Sequence, residues 1–90
     1  MRGKFHLVAG PQAPVTIHQD ANLYIARLDK GTEAKHSIAA GRHAWVQIAR
    51  GAVRLNGGEL KAGDGAAISD EAEVRVEARV PSEVLLFDLA

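Results

Sequence analysis

The sequence predicts an all-β chain closed into one small barrel or sandwich, and three observations lead there. Short runs rich in valine, isoleucine and leucine recur roughly every ten residues, separated by glycine, proline, asparagine and aspartate. Stretches such as Glu73-Val74-Arg75-Val76-Glu77 alternate apolar and charged side chains, the period of a strand with one face buried. No segment sustains the apolar spacing of a helix. At 90 residues and 47% hydrophobic, the chain can fill one modest core, so a single domain over residues 1–90 is expected.

Taken in order, residues 4–9 and 15–18 are short candidate strands flanking a loop with Pro11 and Pro14. Residues 1–18 form an N-terminal arm in this reading, and 19–90 the barrel. A strand over 22–28 ends at the turn Asp29-Lys30-Gly31. Residues 32–38 lead to Ala39-Ala40-Gly41-Arg42, read as a hairpin turn, and 43–50 return against them. Gly51 breaks that strand and 52–55 resume it. Asn56-Gly57 is the strongest hairpin signal, because a two-residue turn of this type needs positive φ at both positions. Residues 59–60 lead to a second turn, Ala62-Gly63-Asp64-Gly65, and strands over 66–69, 72–78 and 83–89 follow.

Face assignments come from the same alternation. On the Trp45 strand Ala44, Val46 and Ile48 point inward, together with Val53 and Leu55 beyond the glycine, while His43, Trp45, Gln47 and Ala49 point outward. Val84-Leu85-Leu86-Phe87 is apolar on both faces, as expected of a strand covered on both sides.

Charge and composition exclude several functions. Eleven basic and eleven acidic residues cancel, and no two basic residues are adjacent, which argues against a nucleic-acid partner. Without cysteine there is no disulfide framework and no thiolate ligand, which fits a reducing compartment. Met1-Arg2-Gly3-Lys4-Phe5-His6 lacks the apolar core of a signal peptide, and no apolar run approaches spanning length. A cytoplasmic protein with no membrane partner is expected.

Several motifs together point to a family. They are Leu23-Tyr24 three residues after Asp20, the run Arg42 to Gly51 (Arg-His-Ala-Trp-Val-Gln-Ile-Ala-Arg-Gly), Val53-x-Leu55-Asn56-Gly57, the run from Gly63-Asp64-Gly65 to Asp70-Glu71, and the closing Ser82 to Leu89. The chain, from about Leu7 to its end, resembles the C-terminal cupin domain of bacterial pirin-like bicupins, some of which are quercetin 2,3-dioxygenases. The resemblance implies a single small cupin-type β-barrel, the RmlC-like jelly roll or double-stranded β-helix. In such proteins the metal, its three histidines and its glutamate belong to the N-terminal domain, and the C-terminal domain is a degenerate copy packed against it. No catalytic residue is carried over to this chain.

Set against the cupin metal motifs, the scaffold is present and the ligands are missing. Gly51 stands as the glycine that closes the first motif, and Gly63-Asp64 as the turn that opens the second. Counting from them, Ala44 falls at the glutamate position, Ser37 and Ala39 near two histidine positions, and Val74 at the last histidine. None of these side chains is a transition-metal ligand of note, so no cofactor is expected.

His36 and His43 are the remaining metal candidates. They flank the Gly41 turn and would face each other across a hairpin, with Glu33 or Glu71 nearby, yet two histidines are fewer than the three protein ligands a catalytic zinc or iron uses. His6 and His18 lack motif spacing and are read as structural or exposed. Thr32, Ser37 and Ser69 sit in no Gly-x-Ser-x-Gly elbow. Asp70 and Glu71 are adjacent, so on a strand they would point to opposite faces. Gly57-Gly58 and Gly63-x-Gly65 are turn glycines with no helix after them to cradle a phosphate. Trp45, the single tryptophan, points away from the aliphatic cluster and is a candidate interface anchor, with packing under a neighbouring strand or the N-terminal arm as the other reading.

These observations favour a non-catalytic, metal-free association domain that forms a homodimer or meets a partner cupin domain. Two alternatives remain. One is a small-molecule-binding cupin whose barrel is lined by Val46, Ile48, Val53, Leu55, Val74 and Val76. The other is part of a pirin-like quercetin 2,3-dioxygenase whose metal site lies in an N-terminal domain.

Overall fold

The alternation read along the chain becomes the inward faces of two facing sheets. The computed structural model describes residues 4–10, 15–16, 21–69 and 71–89, and every regular element there is a strand. In order these are β1 (Phe5–Gly10), β2 (Val15–Thr16), β3 (Ala21–Leu28), β4 (Glu33–Ser37), β5 (His43–Arg50), β6 (Ala52–Leu55), β7 (Gly58–Lys61), β8 (Gly65–Ile68), β9 (Glu73–Ala78) and β10 (Ser82–Leu89). Six form one sheet in the order β2-β1-β3-β10-β5-β8, and four form the other in the order β4-β9-β6-β7. Among the described strands only β1 and β2 pair in parallel; the other pairings are antiparallel.

The core lies between the sheets. Leu28, Ile48, Leu86, Val46, Val53, Val74, Val76 and Val84 are its largest fully buried side chains. Val46, Ile48, Val53 and Leu55 face inward as their alternation requires, and Trp45 faces outward. The six aliphatics proposed to line a ligand cavity instead fill the interior: none is more than 6% exposed, and all belong to the one core cluster. Branched aliphatics of this bulk close the small space between two sheets against one another.

Two local expectations are corrected. Residues 32–38 and 43–50 do not form a hairpin: β4 pairs with β9 in the four-stranded sheet, and β5 with β10 and β8 in the six-stranded one. The Ala39–Arg42 turn is a crossover between sheets, closed by the Arg42 N–H on the Ala39 carbonyl at 3.1 Å. Residues 52–55 likewise do not prolong β5, since at Gly51 the chain turns a corner into the four-stranded sheet. A barrel built from two sheets needs such corners, and sequence periodicity is blind to them because the inward face stays inward on both sides.

Gly51 makes its corner at φ 84°, and a Cβ there would collide with Ser82 Oγ and lie 2.5 Å from the Pro81 carbonyl oxygen. The hairpin at Asn56-Gly57 forms as expected, with φ of 45° and 91° and Leu55 opposite Gly58. Asn56 is also tied to β9, donating from Nδ2 to the Glu73 carbonyl at 3.1 Å and accepting the Arg75 N–H at Oδ1 at 2.7 Å.

The corner yields a test. Gly31 has nearly the same φ, 84°, but open space where a Cβ would stand. Gly31→Ala is expected to cost about 1 kcal/mol, the penalty of left-handed backbone alone. Gly51→Ala should cost about 2–4 kcal/mol, because the clash adds to that penalty. Urea denaturation of both variants measures the difference, and equal losses would mean that the corner has no steric constraint of its own.

Candidate functional site: a buried ion cluster at one end of the barrel

Strand β10 directs Val84, Leu86 and Asp88 inward in one row, so a carboxylate ends an otherwise apolar line. Asp88 lies opposite Asn22 of β3 on one side and Ala44 of β5 on the other. A buried carboxylate needs partners to be stable, and two reach it. The Arg42 guanidinium donates from Nε to Oδ1 at 2.6 Å and from Nη2 to the Asp88 carbonyl at 3.2 Å. His36 Nε2 lies 2.8 Å from Oδ2 and donates, since an ionised carboxylate only accepts.

The three side chains come from three places. His36 is on β4 of the four-stranded sheet, Arg42 on the crossover, and Asp88 on β10 of the six-stranded sheet. The cluster therefore fastens the two sheets together where the strands of one hand over to the other. Its members are 12%, 21% and 9% exposed at their side chains, low enough that water screens them weakly. The His36 ring has two aromatic neighbours, Tyr24 tilted at 4.5 Å between centroids and Phe5 edge-on at 6.3 Å.

The ionisation follows from this setting. Burial alone pushes the Asp88 carboxyl up, but the hydrogen bonds from Arg42 and His36 and their charges outweigh it and hold the group below the usual carboxylate value. Burial pushes the Tyr24 hydroxyl up, and the Asp88 charge acts in the same direction against Arg42. Asp88 is thus a fixed anion with both oxygens engaged, suited to hold structure and unsuited to accept a substrate proton.

The sequence candidates are dispersed. His36 and His43 do not face each other: His43 points outward from β5, with Nδ1 3.1 Å from Ser69 Oγ. Glu33 is on the exposed side of β4, opposite to His36, beside Lys35 at 3.6 Å. Glu71 accepts from Asn56 Nδ2 at 2.9 Å and borders an open cleft of about 350 Å³ with Arg42 and His43. Ala44 and Val74, counted at metal-ligand positions, are core side chains, and Ser37 and Ala39 are exposed. His6 lies on β1 beside Val8, Ile25 and Arg27. His18 and Asp70 lie outside the described residues. Sequence reasoning missed Asp88, Arg42 and Tyr24. The available signal was the position of Asp88, two residues beyond Leu86 in the inward register of an apolar strand.

Residues 7–89 match the family of quercetinase C-terminal cupin domains. The chain belongs to that family. It is 42% identical over 92 residues to a quercetin 2,3-dioxygenase of Escherichia coli, covering 99% of this chain and 39% of the relative. Its fold superposes on the crystal structure of YhhW from Escherichia coli with a TM-score of 0.93 and 40% identity, over 100% of this chain and 40% of that one. A crystal structure of bacterial pirin YhhW in complex with nickel(II), also from Escherichia coli, matches at a TM-score of 0.90 and 42% identity, over 94% of this chain and 38% of that one. The chain thus spans about two-fifths of the length of the relatives it matches. Among the described residues no helix is long and apolar enough to cross a membrane.

A bound transition metal does not fit the described residues of this domain. Among the described residues no three of His, Cys, Asp and Glu converge. Where His36 and Asp88 meet, both carboxylate oxygens are already taken and a guanidinium supplies the positive charge.

Asp88→Asn removes the anion and leaves Arg42 beside a neutral group, which is expected to cost on the order of 2–4 kcal/mol at neutral pH. Because the folded-state pKa of Asp88 is lowered, its stabilisation is complete above the unfolded value near 4 and fades as pH falls through the lower folded value. The stability gap between wild type and Asp88→Asn should therefore be constant well above the unfolded carboxylate value near 4 and narrow as pH falls below it. A gap independent of pH in urea titrations would show that Asp88 acts through shape alone.

Proposed function

We propose that this domain is a non-catalytic association module, the C-terminal half of a pirin-like architecture, and that its partner is the metal-binding N-terminal cupin domain. The outward face of the six-stranded sheet is the observation that supports this reading. Leu23 of β3, Leu85, Phe87 and Leu89 of β10, and Trp45 of β5 lie side by side there, in the registers Leu23–Phe87 and Phe87–Trp45. No described element packs over them, and Trp45 and Leu89 are 41% and 37% exposed. A central strand apolar on both faces is suited to cover on both sides.

Trp45 is already set for contact. Its Nε1–H donates to Gln47 Oε1 at 3.3 Å, and Gln47 Nε2 in turn donates to the Asp64 carbonyl at 3.1 Å. An aromatic held in one rotamer loses little freedom when a partner arrives. The occupant is inferred from length: about three-fifths of the relatives lies outside the region this chain matches, and the matched family is by description the C-terminal cupin domain. A small-molecule-binding cupin is less well supported, because the six aliphatics that would line its cavity pack on one another.

A domain exchange tests the proposal. In the 42%-identical Escherichia coli relative, this chain would replace the corresponding C-terminal region. The chimera is expected to unfold in one cooperative transition, and Phe87→Ser, placed mid-face, to split or lower that transition by roughly 5–15 °C. Independent melting of the two halves would overturn the docking reading. The 90-residue chain alone is expected to retain under about one-tenth equivalent of transition metal and to leave quercetin unoxidised with added Fe(II) or Cu(II). Stoichiometric metal, or turnover above free-metal autoxidation, would contradict the non-catalytic assignment.

A further inference from the structure

A sheet with open edges needs protection, and the edges of this domain are protected unequally. At the ends of the four-stranded sheet, β4 exposes Glu33 and Lys35, and β7 exposes Glu59 and Lys61. At one end of the six-stranded sheet, β2 is two residues long. At the other, β8 reads Gly65-Ala66-Ala67-Ile68, without charge or proline. It is the one edge among the described strands of this length that lacks a gatekeeping charge.

The hydrogen-bond pattern shows which groups it offers. The Ile48 N–H donates to the Asp64 carbonyl at 3.0 Å, and the register continues Gln47–Gly65, Val46–Ala66, Trp45–Ala67. Bonded pairs alternate along an antiparallel ladder. Val46–Ala66 is therefore the next bonded pair, and Gly65 and Ala67 turn their N–H and C=O groups away from β5, out of the sheet.

We infer that β8 is a self-pairing edge, joining two copies of this chain antiparallel about a two-fold axis at Ala66. In that register Gly65 of each copy lies opposite Ala67 of the other, and their N–H and C=O groups make four hydrogen bonds. Trp45 fits the same arrangement. A Cβ at Gly65 would lie 2.5 Å from Trp45 Cζ2 and 2.9 Å from Gln47 Oε1, so the indole occupies the space a side chain at 65 would fill. The residue brought beside Gly65 in the pair is Ala67 of the second copy, whose methyl group the indole then covers. Glycine at 65, a small residue at 67 and a fixed tryptophan between them make the edge complementary to itself. The contact shares Trp45 with the docking face centred on Phe87 but does not depend on that face being covered, and its small extent points to a weak dimer.

Sedimentation of the 90-residue chain from about 10 µM to about 1 mM tests it, with a reversible dimer expected to form within that range. Two variants target the edge. Ala67→Pro deletes an N–H that points out of the sheet, and a sheet edge tolerates proline there. Ala67→Lys sets a charged chain against the second copy's indole. Each is expected to weaken the dimer at least tenfold, while far-UV circular dichroism and melting confirm that the variants fold. In the wild type, the Gly65 and Ala67 amides should exchange at least several-fold more slowly at high concentration than at low.

A monomer at about 1 mM would overturn the inference, as would a dimer indifferent to both substitutions or amides whose exchange ignores concentration. A dimer that survives the Ala67 variants but is lost in Phe87→Ser would place the second copy on the docking face, which refutes the edge and leaves the apolar-face reading standing. Trp45 borders both surfaces, so its substitution does not discriminate between them.

Discussion

The inward row of β10 is the constraint on which the rest of the molecule depends. That strand runs through the middle of the six-stranded sheet, between β3 and β5 along almost its whole length. Val84 and Leu86 supply apolar bulk to the core, and Asp88, the next residue in the row, supplies a buried charge. The apolar part sets which faces of the neighbouring strands turn inward, because a one-residue slip would expose every one of them. The charged part then selects which loop and which opposite strand close the end of the barrel, since Asp88 is stable there only with Arg42 and His36 in place.

This arrangement bears on what the domain does. Here the cluster is centred on the Asp88 carboxylate, with the Arg42 guanidinium and the His36 ring each donating to one of its oxygens. The positive charge comes from the protein itself, and the coordination capacity of the carboxylate is used up by hydrogen bonds. The arrangement supports the proposed association role and does not depend on a bound metal. The surface features are consistent with this: the apolar face over β3, β10 and β5 and the unguarded edge of β8 meet at Trp45.

Much of the fold was legible because sheets encode their faces with a period of two. The burial of Val46, Ile48, Val74 and Val76, the outward turn of Trp45 and the Asn56-Gly57 hairpin all follow from alternation and turn chemistry. The hairpin wrongly expected around Gly41 had the same local signature as the crossover that stands there. A turn with Gly41 at φ 82° ends one strand and begins another whichever sheet the second strand joins. Likewise, His36 was weighed against its near neighbour His43, whereas its true partner is 52 residues away.

By itself the sequence determined the class of fold, the inward and outward faces of its strands and the family resemblance, because each depends on residue type and short-range period. Only the tertiary structure decided which strands pair, where the chain changes sheet, and that His36, Arg42 and Asp88 meet. Those outcomes depend on closing two sheets over one core, which brings together side chains whose separation along the chain leaves no local trace. The same closure leaves β8 at an edge and the Phe87 face without a described element over it, features that exist only once every other strand has found its neighbour.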